Sequence, residues 1–259
     1  MPCLRQRKLV ALAIASLALS SAPSSAGDRH APPAFLVFPD ATGAAATYST
    51  KGAIDLTNPF FQVLGTNGRA CVTCHAPESG WSVTPQSLRQ RFDATNGMDP
   101  IFRPVDGAVS PTMDVSTLKA RLVAYDMLLR KGLIRIGIGI PEDAQFELVA
   151  VDDPYGYASA KELSLFRRPL PATNLAFLST VMFDGRETFA DATSRDCILG
   201  TSTCFASIHF DLVDQANGAT TGHAQATHPL TPAQADAIAD FESSLYTAQV
   251  FDHDAGNLM

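Results

Sequence analysis

Two cysteines three positions apart, followed at once by a histidine, stand at Cys71-Val72-Thr73-Cys74-His75. This is the C-x-x-C-H spacing of covalent haem c attachment. The spacing has a chemical reason. The two thiols form thioethers with the vinyl groups of the porphyrin and pin its edge, while the next residue brings an imidazole under the iron. The expected cofactor is therefore one haem c, attached through Cys71 and Cys74 and ligated by His75. A zinc half-site or a thioredoxin-like pair would use the same cysteines. The first wants a second Cys/His pair at matching spacing and the second a βαβ context, and the sequence has neither.

The sixth iron position then defines the function: a strong ligand there makes an electron carrier, and an open one admits peroxide. Outside the motif the chain offers His30, His209, His223, His228 and His253, with Met98, Met113, Met127 and Met182. Met127 reads as core, and His30 and His253 as surface near the termini. His223 ends the stretch Gln215 to His223, which reads as a glycine-bearing loop able to reach over the haem face. It is the expected second metal ligand or, equally, an acid/base on bound peroxide; Met182 is the other residue able to close the site.

Residues 1–26 have the form of a secretory signal: Arg5, Arg7 and Lys8, then the apolar run Leu9 to Leu19, then Ser24-Ser25-Ala26. The apolar run falls short of the ~20 residues that span a bilayer, so no retained membrane span is expected. Covalent haem attachment to exported chains agrees with a periplasmic address. The net charge of −7, with 19 Lys plus Arg, argues against nucleic acid as a partner. In an oxidising compartment the remaining cysteines of the mature chain, Cys197 and Cys204, are expected to form a disulfide.

Residues 27–259 read as one domain. Residues 27–47 read as an extended or mobile lead-in, and 51–64 as a short helical segment. Trp81 is expected near the porphyrin edge. Ser87 to Phe92 reads as a short helix, and Asp99 to Pro111 as an irregular loop. Val115, Leu118, Leu122, Tyr125 and Leu129 mark a helix that stops at Gly132. Leu133 to Ile140 and Gln145 to Val151 read as the arms of a β-hairpin, at about 133–151, inserted into an otherwise helical chain. Thr231 and Pro232 open a last helix on which Ala235, Ile238, Phe241, Glu242 and Leu245 mark the faces.

Several stretches resemble the bacterial di-haem cytochrome c peroxidases and their MauG-like relatives. They are Arg168-Pro169-Leu170-Pro171-Ala172-Thr173-Asn174-Leu175-Ala176-Phe177, Phe183-Asp184-Gly185-Arg186, Gln215-Ala216-Asn217-Gly218 and the Leu230-Thr231 helix start. The resemblance covers roughly residues 50–247, the N-terminal half of that family, which holds the peroxide-reactive haem. It implies a mainly α, cytochrome c-like helical haem domain. It also implies that Arg186 orders the haem surroundings by pairing with a propionate; Arg186 bonded to Asp184 or to loop carbonyls is the structural alternative. The chain departs from the pattern in having one C-x-x-C-H, in Phe183 where a tryptophan is common, and in Gln225 where the catalytic glutamate falls. An amide hydrogen-bonds but cannot shuttle a proton, which leaves His223 to take that duty. The expected function is electron transfer, with peroxide reduction fed by a small cytochrome or cupredoxin. A pure carrier with a closed distal site, or half of a di-haem peroxidase with little activity, are the alternatives.

Overall fold

The computed structural model describes residues 33–189 and 202–259. Its described residues form five α-helices and two antiparallel sheets. This mixed α/β architecture corrects the expectation of a mainly α, cytochrome c-like helical domain. The signal segment 1–26, His30 and the expected Cys197–Cys204 disulfide lie outside the described residues.

The larger sheet accounts for most of the difference. β1 (Pro33–Asp40) and β2 (Gly43–Ala53) form a hairpin where an extended or mobile lead-in was expected, and β5 (Leu245–Asp252) joins β2 antiparallel, from Gly43↔Asp252 to Ser49↔Leu245. The short β6 (Gly256–Asn257) completes it, giving the order β1-β2-β5-β6. Asp40 makes the turn: its Oδ1 accepts from the backbone N–H groups of Thr42 and Gly43, each at 2.8 Å. The Ala/Thr/Ser run of β2 resembles a loop in composition. Its small side chains instead bury Ala45, Ala46, Thr47 and Ser49.

The second sheet pairs β3 (Ile134–Ile138) with β4 (Leu163–Arg167), in register from Ile134↔Arg167 to Ile138↔Leu163. The first arm of the expected hairpin therefore exists, but its partner is not Gln145 to Val151. That segment carries exposed Phe146 and Val149 and joins no strand. Arg135 decides the pairing: it is buried and reaches Ser164 Oγ at 2.8 Å and Glu162 Oε1 at 2.7 Å.

Helix α1 (Pro85–Thr95) is capped by Thr84, whose hydroxyl accepts from Ser87 N. The helix expected after Val115 is two short ones, α2 (Leu118–Ala124) and α3 (Asp126–Lys131), parted at Tyr125, whose hydroxyl donates to Phe102 O at 3.0 Å. The segment 51–64 is the end of β2 followed by a 3-10 turn, Pro59–Phe61, not a helix. The stretch expected as a loop before His223 is the second half of α4 (Ser202–Gly222). Interior glycine costs about 1 kcal/mol in a helix, which the packing of Leu212 and Ala216 outweighs. α5 (Pro232–Ser243) starts at Thr231 with a capping box to Gln234.

Two apolar clusters flank the cysteine motif. Leu88, Phe92, Phe102, Tyr125, Leu128 and Ile134 form one, with Cys74 against it. Ile54, Phe60, Trp81, Ile238, Phe241 and Leu245 form the other, with Cys71 and Val72 against it. Trp81 joins the second cluster to the sheet through a buried hydroxyl relay. Its Nε1–H donates to Thr47 Oγ1 at 2.8 Å, Thr47 meets Thr247 Oγ1 at 2.7 Å, and Thr247 meets Thr173 Oγ1 at 2.9 Å. Thr47→Val keeps the shape but orphans the indole N–H, so it is expected to lower the unfolding free energy by about 2 kcal/mol in urea titrations followed by circular dichroism.

Candidate functional site

The 3-10 turn Cys71–Thr73 brings the chemistry together. Cys74 N and His75 N both donate to Cys71 O, at 3.1 and 3.0 Å, which turns Cys71, Cys74 and His75 onto the wall of one cavity of about 590 Å³. That volume lies within the ~300–1,000 Å³ usual for cofactor sites. Both cysteines are free thiols. They border the cavity rather than bulk water, and burial pushes them up to about 12 for Cys71 and about 11 for Cys74.

His75 is oriented from behind. Its Nδ1 lies 3.1 Å from the Trp81 carbonyl, which can only accept, so Nδ1 carries the hydrogen and Nε2 keeps the lone pair. Burial, helped by the nearby His223 and opposed by backbone contacts with Trp81 and Leu170, holds the ring below the usual imidazole value and so neutral, the form that ligates metal. Trp81 acts through this carbonyl. Its fully buried indole belongs to the core, and it is not part of the cavity wall as the position near a porphyrin edge would require.

Two residues before the motif, Arg69 is buried and donates four hydrogen bonds. Nε donates to Pro100 O (2.8 Å), Nη1 to Asp106 Oδ2 (2.7 Å) and His223 O (3.0 Å), and Nη2 to Ile101 O (2.7 Å), while Nη2 also stands 2.6 Å from Asp106 Oδ1 as an ion pair. Asp106 is buried too, and its Oδ2 accepts from His223 Nδ1 at 2.6 Å. Burial pushes the Asp106 carboxyl up, but the His223 and Arg69 hydrogen bonds and the Arg69 charge outweigh it and hold the acid below its usual range. His223 therefore keeps Nδ1 on Asp106, and no hydrogen bond among the described residues reaches Nε2. It stands just past the end of α4, with its N–H on Ala219 O at 2.9 Å. His223 and His75 line the same cavity.

The remaining expected residues divide. Arg186 and Met182 line the cavity; Arg186 is held by Asp184, with Nη2 at 2.5 Å from Oδ2 and Nε at 3.0 and 3.1 Å from the two oxygens. The Arg186 hydrogen bond, against burial and aided by charge, draws Asp184 down to about 2. Arg167 and Arg168 also reach the wall, so that part of the cavity is cationic. Gln225 is exposed and lies outside the lining: its Oε1 accepts from Asn67 Nδ2 at 3.2 Å, and its carbonyl from Thr66 Oγ1 at 2.8 Å. His209 meets Asp236 at 3.2 Å on the surface, and Met98 is exposed.

No family model, curated protein or solved structure matches this chain. Its site is therefore read from its own residues. Among the described residues no group of three or more His, Cys, Asp or Glu is arranged to hold a bare metal ion. The donor set fits a covalent haem instead: two free thiols, a neutral imidazole, a largely apolar wall including Leu64, Ile134, Leu170 and Ile238, and arginines able to meet carboxylates.

Three residues went unseen in the sequence as parts of the site: Arg69, Asp106 and Glu242. Asp106 lies in a Pro/Gly-rich loop, where aspartate reads as turn chemistry. Glu242 did leave a signal, a carboxyl one helical turn after Ile238 on the apolar face of α5. It is buried on the cavity wall, its Oε2 has no hydrogen-bond partner, and burial pushes its carboxyl up to about 8.

Two outcomes follow from these contacts. Asp106→Ala, which leaves the Arg69 charge buried and alone, is expected to lower the unfolding free energy by about 3–5 kcal/mol in urea, while Arg69→Met combined with Asp106→Leu recovers much of that loss. Because the folded-state value of Glu242 stands above the unfolded 4.5, its proton favours folding below that value. Stability should fall as pH rises from 4.5 through about 8, with a slope of at most one proton that Glu242→Gln removes from denaturation curves taken along that range.

Proposed function

We propose that this chain holds one c-type haem through Cys71 and Cys74, with His75 as the proximal iron ligand, and works in electron transfer. The single observation that supports this most is the common cavity wall of two free thiols and an imidazole whose Nδ1 is tied to a main-chain carbonyl. A haem bound there supplies a one-electron ferric/ferrous couple. The chain's own residues do the rest. The Trp81 carbonyl makes His75 a more basic donor, the apolar wall excludes water, and Arg167, Arg168 and Arg186 offer positive charge to carboxylates. A periplasmic address and a small cytochrome or cupredoxin as redox partner go with this reading.

A second reading, peroxide reduction, draws support from His223 and Asp106. The reaction breaks one O–O bond and forms two waters, consuming two electrons from the partner protein and two protons. A histidine fixed through Nδ1 by a buried carboxylate can move a proton at Nε2, as the aligned but exposed Gln225 cannot. The same Nε2 can instead ligate the iron, which gives a pure carrier.

Coexpression with a c-haem maturation system tests both readings. One haem per chain is expected by pyridine haemochrome, surviving acid–acetone extraction in the wild type and not in Cys71→Ala with Cys74→Ala; failure of attachment in the wild type overturns the proposal. A high-spin ferric spectrum that responds to peroxide and returns as electrons are supplied favours the peroxidase reading. A low-spin spectrum indifferent to peroxide, turning high-spin in His223→Ala, makes His223 the sixth ligand.

A further inference from the structure

Glu242 has no part in holding the cofactor, yet it is a carboxyl buried on the cavity wall with an unpartnered oxygen. Its element offers no reason for it: Ile238 and Leu245, on the same face of α5 or just beyond it, are apolar and buried. Removing a carboxyl from water without hydrogen bonds costs several kcal/mol if it stays ionised, so the group resides there as a neutral acid. It is a stored proton on the wall to which the haem would be attached.

We propose that Glu242 is a redox-linked proton site: it takes up a proton from solvent when an electron enters the cavity and releases it when the electron leaves. This rests on the haem reading above. The balance is one electron to the iron and one proton to the Glu242 carboxylate; the redox partner protein supplies the electron. Coulomb's law sets the direction. A bound haem would carry one more positive charge when ferric than when ferrous, so Glu242 would give up its proton more readily in the ferric state, and the low polarity of the wall would keep the coupling strong.

Of the titratable groups on the cavity wall, His75 is held as the proximal ligand in the haem reading and His223 is tied to Asp106, so the Glu242 variant separates its contribution from theirs. The Cys71 thiol is the titratable group whose interaction with it is felt, and a thioether at Cys71 no longer titrates. α4, packed on α5, lines the cavity with Leu212, Gln215, Ala216, Ala219 and Thr220, none of them acid or base. Its buried Asp211 is directed elsewhere, accepting from Phe189 N at 2.6 Å. From the 3-10 turn at 175–177 comes Leu175, and the turn at 59–61 presents Phe60 and Phe61. Elsewhere on the wall, Arg69 is neutralised by Asp106, Arg186 and Arg167 face Asp184, and Arg168 donates to Lys131 O. Leu170, Leu178 and Phe183 line the cavity and are also exposed, so protons have a way in from solvent.

The test is a redox titration of the haem-loaded protein at a series of pH values on both sides of pH 8, for wild type and Glu242→Gln, with an infrared difference spectrum between oxidised and reduced wild type. The wild-type midpoint should fall with rising pH at a slope approaching one proton per electron. Glu242→Gln should lose that slope and keep only what propionates and His223 contribute. The carbonyl band of a protonated carboxylic acid should gain intensity on reduction in the wild type and be absent from the variant. Equal slopes in the two proteins overturn the proposal, and so does a wild-type infrared spectrum without that band. If no haem attaches, the haemochrome assay shows it first and the haem reading fails with it; attached haem with equal slopes sinks the Glu242 assignment alone.

Discussion

A guanidinium without access to water must find acceptors and a counter-charge inside the protein, and Arg69 takes them from three separate parts of the chain. Pro100 and Ile101 supply carbonyls from one loop, Asp106 accepts through Oδ2 and pairs its charge through Oδ1, and His223 supplies a carbonyl from beyond α4. The demand falls two residues before the cysteine motif. The approach to Cys71, the 100–106 loop and the end of α4 are thereby held in one arrangement, and the Asp106 oxygen that meets Arg69 Nη1 also fixes the His223 ring. The alternative to this convergence is a buried, unpaired charge.

Around that pair the backbone closes tightly. A Cβ on Gly65 would collide with the carbonyl of Ala224, the group that accepts from Thr66 N at 3.1 Å, so glycine is what lets the segment before the motif meet the one after α4. On the other side Asn58 Nδ2 donates to Ala237 O at 2.9 Å, and Phe60, Phe61, Trp81 and Phe241 pack with ring centroids 5.0 to 6.0 Å apart. The motif is thus seated between two apolar clusters, with one cysteine against each. This seating leaves the thiols and His75 facing a cavity instead of one another, as a planar group bonded at one edge requires.

Charge in the cavity is distributed by the same rule. Arg69 and Arg186 each have a carboxylate, whereas Glu242 has no cation and keeps its proton. Two acids on one wall hold opposite states because one has hydrogen bonds and a guanidinium and the other has only burial. The resemblance to di-haem peroxidases pointed to position 225 for a carboxyl function. The fold instead turns Gln225 outward, with φ 56°, and brings a carboxyl in from α5.

Local pattern was sufficient for the groups that are defined by adjacency. Cys71, Cys74 and His75 are close in space because they are close in sequence; Thr231 and Pro232 start α5 because capping is settled within four residues. Patterning failed where the partner is remote. β2 becomes a strand because β1 and β5 flank it, and β5 lies about two hundred positions away; its alanines and threonines carry little propensity of their own. β3 was legible as an extended run, but its true partner, β4, was decided by where Arg135 finds Glu162 and Ser164. The glycines before His223 signalled a loop, and packing on α5 made them helix. What the sequence by itself determined was therefore the grouping of two thiols and an imidazole, a matter of spacing within five residues. Tertiary structure alone decided which distant groups, Asp106, His223 and Glu242, surround it, because burial and long-range hydrogen bonding have no counterpart in local order along the chain.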